Sequence, residues 1–227
     1  MRTSINIIDI ILNDLSNIVS DIHLIKFGQY KVAVQDRVEN RDELSHIFSE
    51  AIEIKERYRF PFWDSFNVSL FDKSIQDYSF LKENLYHNQY QDIQKIKAVD
   101  FNKKIADANS NDYLTFCSKI ETFDNGYNHL PLFDFHIPIS DNNQKLCIAI
   151  IKQLNLAGYL LNSGKSYHFY GIKLITEDEL ITLLSKMLLF SPIIDRAWVS
   201  HQLMQRFCCL RISKKYDRLP FELCYIE

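Results

Sequence analysis

Asp134 and His136 stand two residues apart in the run His-Leu-Pro-Leu-Phe-Asp-Phe-His-Ile-Pro-Ile, residues 129–139. In an extended chain that spacing turns both heads to one side with Cα atoms about 7 Å apart, close enough to share or flank a cation. Carboxylate oxygen suits hard divalent ions and imidazole suits later transition metals, so an Asp-x-His pair leans toward Mn²⁺ more than Asp-x-Asp would. A second group is Ser163-Gly164-Lys165-Ser166 with His168 just beyond it. It is not a Walker phosphate loop. The position that needs the upstream glycine is Tyr159, Gly158 is one residue out of register, and Tyr167-His168-Phe169-Tyr170 continues as strand rather than helix. What remains is a tight turn whose Ser, Lys and backbone amides can meet anions, followed by an outward-facing His168. A third group follows Ser191-Pro192-Ile193-Ile194, an apolar approach that ends on Asp195. Beyond it lie His201, Arg206, Arg211, Ser213 and Lys214. Each group has an ordinary alternative: hydrogen-bonded surface residues, a plain hairpin turn, and a helix N-cap at Asp195.

The elements that must position these groups are readable in the second half of the chain. Residues 113–123 read as a strand, Asp124-Asn125-Gly126 as a turn, and residues 129–139 as an alternating strand that forms a hairpin with the first. In that alternation Leu132, Asp134 and His136 face one way and Phe133, Phe135 and Ile137 the other. Ser140 or Asp141 can cap a helix carrying Leu146, Cys147, Ile150, Ile151 and Leu154. Residues 158–162 and 166–174 are two short strands, and Thr176-Glu177-Asp178-Glu179 is a capping box. A helix over 196–205 and a closing strand over 208–212 complete the order β-α-β-β-α-(α)-β, that of a ferredoxin-like sheet. The first half is less explicit. The three- and four-residue steps among Ile8, Ile11, Leu15, Ile18, Ile22 and Ile25 predict one helix over 5–25. A second helix is expected from Asn40, through Leu44, Ile47, Phe48, Ala51 and Tyr58, to a stop at Pro61. Residues 60–70 read as a strand or packed loop, and 71–110 show only weak periodicity.

The 227 residues are 47% hydrophobic and 24% charged, with only five glycines and five prolines, a globular composition without long flexible linkers. No apolar run approaches the length of a membrane span, and Asp9, Asp14 and Asp21 interrupt the apolar N-terminus, so neither a membrane anchor nor a signal peptide is expected. The five cysteines lack disulfide or zinc spacing, which fits a reducing, cytoplasmic setting. Charge is unevenly spread. Between Arg196 and Arg218 six bases face the single acid Asp217, a local +5 in a chain whose total is −3. That balance disfavours indiscriminate polyanion binding and permits one phosphate-facing patch.

Taken in order, Asp-x-His on a strand, Ser-Gly-Lys-Ser-Tyr-His on a hairpin, Pro-Ile-Ile-Asp, a helix with His and Arg, and Leu-Arg-Ile-Ser resemble the catalytic core of the archaeo-eukaryotic primase superfamily. They look closest to its small bacterial, primase 1D-like members. The resemblance spans residues 130–213. It implies an α+β fold with two parts: a mainly helical α/β half over 1–111 and an RRM-like catalytic half over 112–227. It further implies template-directed nucleotidyl transfer by a two-metal site. Asp134 and Asp195, with His136 in place of a second acidic ligand, would hold Mn²⁺ or Mg²⁺. Ser166 and His168 match the Ser-x-His element that meets a nucleoside triphosphate, with Ser163, Gly164 and Lys165 in the preceding loop. His201, Arg206, Arg211, Ser213 and Lys214 would contact phosphate or a single-stranded DNA or RNA template, and Tyr167 and Tyr170 are candidates for stacking on bases, with core packing the role expected of most of the 28 Phe and Tyr. A partner helicase, nuclease or other replication or defence protein is expected for so short a chain. A catalytically silent nucleic-acid or nucleotide-binding module, or a protein-interaction domain on the same scaffold, are the competing expectations.

Overall fold

The computed structural model describes residues 1–27, 45–71, 93–108, 113–215 and 218–227. The chain divides into two compact units, one of Met1–Gly28 with Asn88–Glu227 and one of Gln29–His87. In the smaller unit α2 (Ser45–Tyr58) buries Ile47 and Ala51, and α3 (Phe62–Phe71) buries Phe66. Phe62 stacks on Phe66 at a ring separation of 5.8 Å and touches Phe48 of α2 at 5.6 Å. The segment expected as strand or loop over 60–70 is thus helical, because its aromatics pair at the four-residue step of a helix face. The helix start expected at Asn40 lies outside the described residues; α2 does end before Pro61.

The larger unit opens with α1 (Ser4–Asp14), started by a capping box between Thr3 and Asn6 and burying Ile7, Ile8, Ile11 and Leu12. The helix expected to run to residue 25 stops here. Val19–Phe27 form a strand, β1, between β2 (Ile93–Lys97) and β3 (Tyr113–Thr122). The pairing of β1 with β3 shifts register between Val19 and Asp21 and again between Ile22 and Leu24. Ile22 and Leu24 join the main core while Ile25 is buried in a separate cluster with Cys117 and Cys209, so burial on both faces gives this strand a three-residue step like that of a helix. β4 (Tyr127–His129) and β8 (Cys209–Arg211) also pair with β3, and a short helix α4 (Phe101–Ala106) follows β2.

The run 129–139, expected as one strand, is shared between two sheets. It leaves the first sheet at His129, turns at Pro131, and enters the second as β5 (Leu132–Asp134). The second sheet has the order β5-β7-β6-β9, all antiparallel, with β6 Gly158–Asn162, β7 Tyr167–Gly171 and β9 Phe221–Ile226. α5 (Asp141–Gln153), capped by Ser140, connects β5 to β6, so β5, α5, β6 and the intervening β7 form a split β-α-β unit. The closing strand expected at 208–212 joins β3 of the first sheet instead, and the far edge beside β6 is taken by β9, for which the sequence offered no expectation. α6 (Glu177–Met187) begins on the Thr176–Glu179 capping box, and α7 (Arg196–Gln205) is capped by Asp195. The architecture is α+β. Among the described residues no helix is long and apolar enough to cross a membrane.

Candidate active site

β5 and β7 run antiparallel with Asp134 directly opposite His168. Beyond β5 the chain pairs with the approach to α7. Phe135 bridges Ile194, His136 N donates to Ile193 O at 2.7 Å, and Asp195 N donates to Asp134 O at 3.2 Å. Two acids 61 positions apart in the chain are thereby held side by side by backbone alone. Asp195 divides its carboxylate: Oδ1 accepts from Trp198 N at 2.9 Å, capping α7, and Oδ2 lies 3.5 Å from His136 Nδ1. Asp134 Oδ1 lies 3.6 Å from His168 Nε2. The outward-facing His168 of the sequence reading is in fact buried, at 6% exposure, because all five residues of β7 lie inside the fold. Its Nδ1 has no hydrogen-bond partner. Tyr167 and Tyr170 are wholly buried, which gives them the core-packing role rather than base stacking; the Tyr167 hydroxyl accepts from Ser140 N and donates to Ser140 O, both at 2.8 Å.

Positive charge faces this acidic pair. Burial, followed by the repulsion of Asp195, pushes the Asp134 carboxyl up to about 8, against the opposing pull of Arg211 and Lys215. Burial, then the same two cations, pushes His168 down to about 3. Lys215 is itself lowered, first by burial and then by Arg211 and Lys165. Arg211 and Lys215 therefore both act on Asp134 and His168, and Lys165 acts on Lys215. Lys215 was absent from the sequence-level site; its signal was the basic excess between Arg196 and Arg218.

These shifts set a pH dependence. Folded Asp134 keeps its proton to about pH 8, whereas the unfolded chain releases it near 4, so stability from this group is present below pH 4 and lost as pH rises through 8. His168 works the other way: its contribution is lost as pH falls from 6.5 toward 3. Asp134→Asn should therefore melt above wild type at pH 8 in a chelating buffer and close to it at pH 4. A gain of about 2 kcal/mol at pH 8 is expected, discounted for the 29% of the Asp134 side chain that stays open; thermal melts across pH measure it.

The hairpin loop and Arg211 are tied together. The Arg211 guanidinium donates to Ser163 O at 2.8 Å, to Ser213 O, and to Arg218 O at 3.4 Å. Expected as a phosphate or template contact, it clamps three carbonyls in the free protein. Two loop amides expected to be open to anions are engaged, Ser163 N with Ser166 O at 2.9 Å and Gly164 N with Asn162 Oδ1 at 2.8 Å. The Ser166 hydroxyl donates to Phe135 O at 2.5 Å, and the Ser213 hydroxyl accepts from Leu114 N at 2.9 Å. Both serines thus position backbone, and Lys165 is left as the exposed cation of the loop. Arg206 sits at the opposite end of α7 from Asp195, about 15 Å along a ten-residue helix, and pairs with Glu177. His201 is half-buried midway along α7, and Lys214 is exposed. Arg211→Lys, which cannot fork to several carbonyls, should cost about 2 kcal/mol in denaturant unfolding. Arg206→Ala, at an exposed pair, should stay near wild type.

Among the described residues no three His, Cys, Asp or Glu side chains already form a metal-holding group. The arrangement at Asp134 and Asp195 is instead two acids pressed together opposite a cationic cluster, which is a place for a cation and an anion together. A family model described as archaeo-eukaryotic primase 1D-like matches residues 93–220, more than half of the chain. The chain belongs to this family. The match in this primase-like chain starts at β2 and runs through Asp134, His168, Asp195 and Arg211 to Pro220, so it takes in every residue of the site and reaches well before residue 130, where the sequence resemblance began. No curated protein and no solved structure gave a match.

Proposed function

We propose that this primase-like chain is a template-directed nucleotidyltransferase, a primase-polymerase that joins nucleotides on single-stranded DNA or RNA. The observation that carries the reading is the juxtaposition of Asp134 and Asp195 by the β5 pairing, beside Lys165, Arg211 and Lys215. Asp134 is destabilised as an anion partly by Asp195, a strain that a cation between them relieves, so the donor set fits a divalent ion. Asp134, Asp195 and His136 would hold it. Two hard oxygens with one imidazole favour Mn²⁺ and also accept Mg²⁺. Divalent ions held there would supply acidification of a primer 3′-hydroxyl and neutralisation of pyrophosphate charge.

The chain's own groups bind and orient. Lys165 and Lys215 take the phosphate charge of a nucleoside triphosphate. Arg211, by donating to Ser163 O and Ser213 O, ties the loop of Ser163, Gly164, Lys165 and Ser166 to β8. His168, neutral and buried, keeps an imidazole next to Asp134 without adding charge. His201, Arg206, Ser213 and Lys214 are proposed to lie along the template path. Catalysis is assigned to residues 112–227, whose second sheet supplies the RRM-like part of the reading, and the chain is proposed to work with a helicase, nuclease or other replication or defence protein.

Incorporation of labelled nucleotides on a single-stranded template, dependent on Mn²⁺ or Mg²⁺ and lost in Asp134→Ala, is the test. A second reading, a silent nucleic-acid-binding module, draws on the use of Asp195 Oδ1 as a helix cap and on the exposed His136 in place of an acid. It predicts single-strand binding with a steep salt slope and no incorporation with either ion.

A further inference from the structure

Away from the acidic pair, the first sheet carries a small apolar cluster of Ile25, Cys117 and Cys209, with Ile93 and Phe207 packed against it. Cys117 on β3 and Cys209 on β8 are direct cross-strand partners, and their Sγ atoms are 3.3 Å apart. The adjoining rung is hydrogen-bonded, Ser118 N to Cys208 O at 2.7 Å. Antiparallel rungs alternate, so Cys117 and Cys209 occupy a non-hydrogen-bonded rung, where facing Cα atoms approach to about 4.5 Å. That separation lies within the span of a disulfide. Both cysteines are thiols here.

We propose that Cys117 and Cys209 form a redox modification site, closing to a cross-strand disulfide when the protein meets a peroxide. Cys209 is 7% exposed and Cys117 1%, so Cys209 meets the oxidant first. Its thiolate attacks one peroxide oxygen, the O–O bond breaks, and hydroxide leaves a sulfenic acid on Cys209. The Cys117 sulfur then attacks that sulfur, the S–O bond breaks, and water departs with the Cys117 proton. Two thiols are oxidised and one peroxide is reduced to two waters. Burial raises the Cys209 thiol, which makes the first step slow at neutral pH and faster as pH rises. Arg211 follows Cys209 by two residues on the same strand, so the bond fastens the strand whose guanidinium holds Ser163.

The experiment uses the full chain treated with hydrogen peroxide, alkylated, digested without reductant and read by mass spectrometry. The expected result is a Cys117–Cys209 linked peptide, a loss of two of the five titratable thiols and their return with dithiothreitol. Cys117→Ser should leave Cys209 as a sulfenic acid that dimedone traps, and Cys209→Ser should form no link at Cys117. Five surviving thiols would overturn the proposal. So would a link from Cys117 to Cys208 or from Cys147 to Cys224, or oxidation of Cys209 beyond the sulfenic stage with no link.

Discussion

Alanine at position 134 is expected to lower metal-dependent nucleotide incorporation by about 1000-fold or more, equivalent to about 4 kcal/mol of transition-state stabilisation. The loss follows from where Asp134 sits. Its charge is opposed by that of Asp195 and favoured by those of Arg211 and Lys215, so its removal takes away the hard oxygen to which the proposed function assigns the cation. The variant should fold, since at neutral pH it no longer has to take up the proton that folding imposes on the buried Asp134 carboxyl. Asp195→Ala would also lose activity, but it removes the α7 cap as well, at a cost of about 1 kcal/mol. Asp195→Asn caps equally well and removes only the charge, so single-turnover incorporation by Asp195→Asn isolates the chemistry from the helix. Wild-type rates in Asp134→Ala would refute the metal-holding role of Asp134, and no incorporation by the wild-type chain with either ion would refute the activity.

Gly158→Ala should destabilise the fold by about 3 kcal/mol, the largest stability effect expected of any single methyl group here. A Cβ built at Gly158 comes within 2.2 Å of Tyr170 O and 2.9 Å of Gly171 Cα, both backbone atoms of β7. Neither can swing aside, so β6 and β7 must separate, and β7 is the strand that sets His168 against Asp134. Gly164→Ala is the matched comparison. Its φ of +113° strains an alanine, but nothing lies within 4 Å of the added carbon, so about 1 kcal/mol is expected. Urea unfolding of the two variants side by side should show that difference; equal losses would mean that the β6–β7 contact gives way cheaply.

The second half of the chain was far more legible than the first, for reasons visible in single residues. Ser140, Thr176 and Asp195 announce helix starts with side chains that bond the first-turn amides, and all three do so. The strands around Ser163-Gly164-Lys165 are short, flanked by glycine and paired locally, which sequence patterns record well. β1 carries the steps of a helix because it is buried on both faces, Ile22 and Leu24 in the main core and Ile25 beside Cys117 and Cys209. The exit of the chain from one sheet to the other at Pro131, and the pairing of Cys209–Arg211 with β3 rather than with the second sheet, are decisions made by partners remote in sequence, which no local window contains. At the site, residue types were readable but directions were not. His168 looks solvent-facing by alternation, yet β7 is a central strand covered on both faces, and Arg211 looks like a phosphate fork until the carbonyls of Ser163, Ser213 and Arg218 are found around it.

β3 is the spine on which β1, β4 and β8 all depend, and only β4 is its near neighbour in the chain. Thr115 reaches Ile25 across 90 positions, Cys117 reaches Cys209 across 92, and the Ser4 hydroxyl finds Ile212 O across 208. Such a topology assembles late and slowly, because the entropy of closing long loops precedes the reward of pairing. During synthesis, α1 and β1 emerge from the ribosome well before β3 exists, and the sheet gains its last partner only when residues 209–211 are out. Truncation ahead of Cys209 should therefore yield a nascent chain held open with an unpaired edge, a natural client for a chaperone.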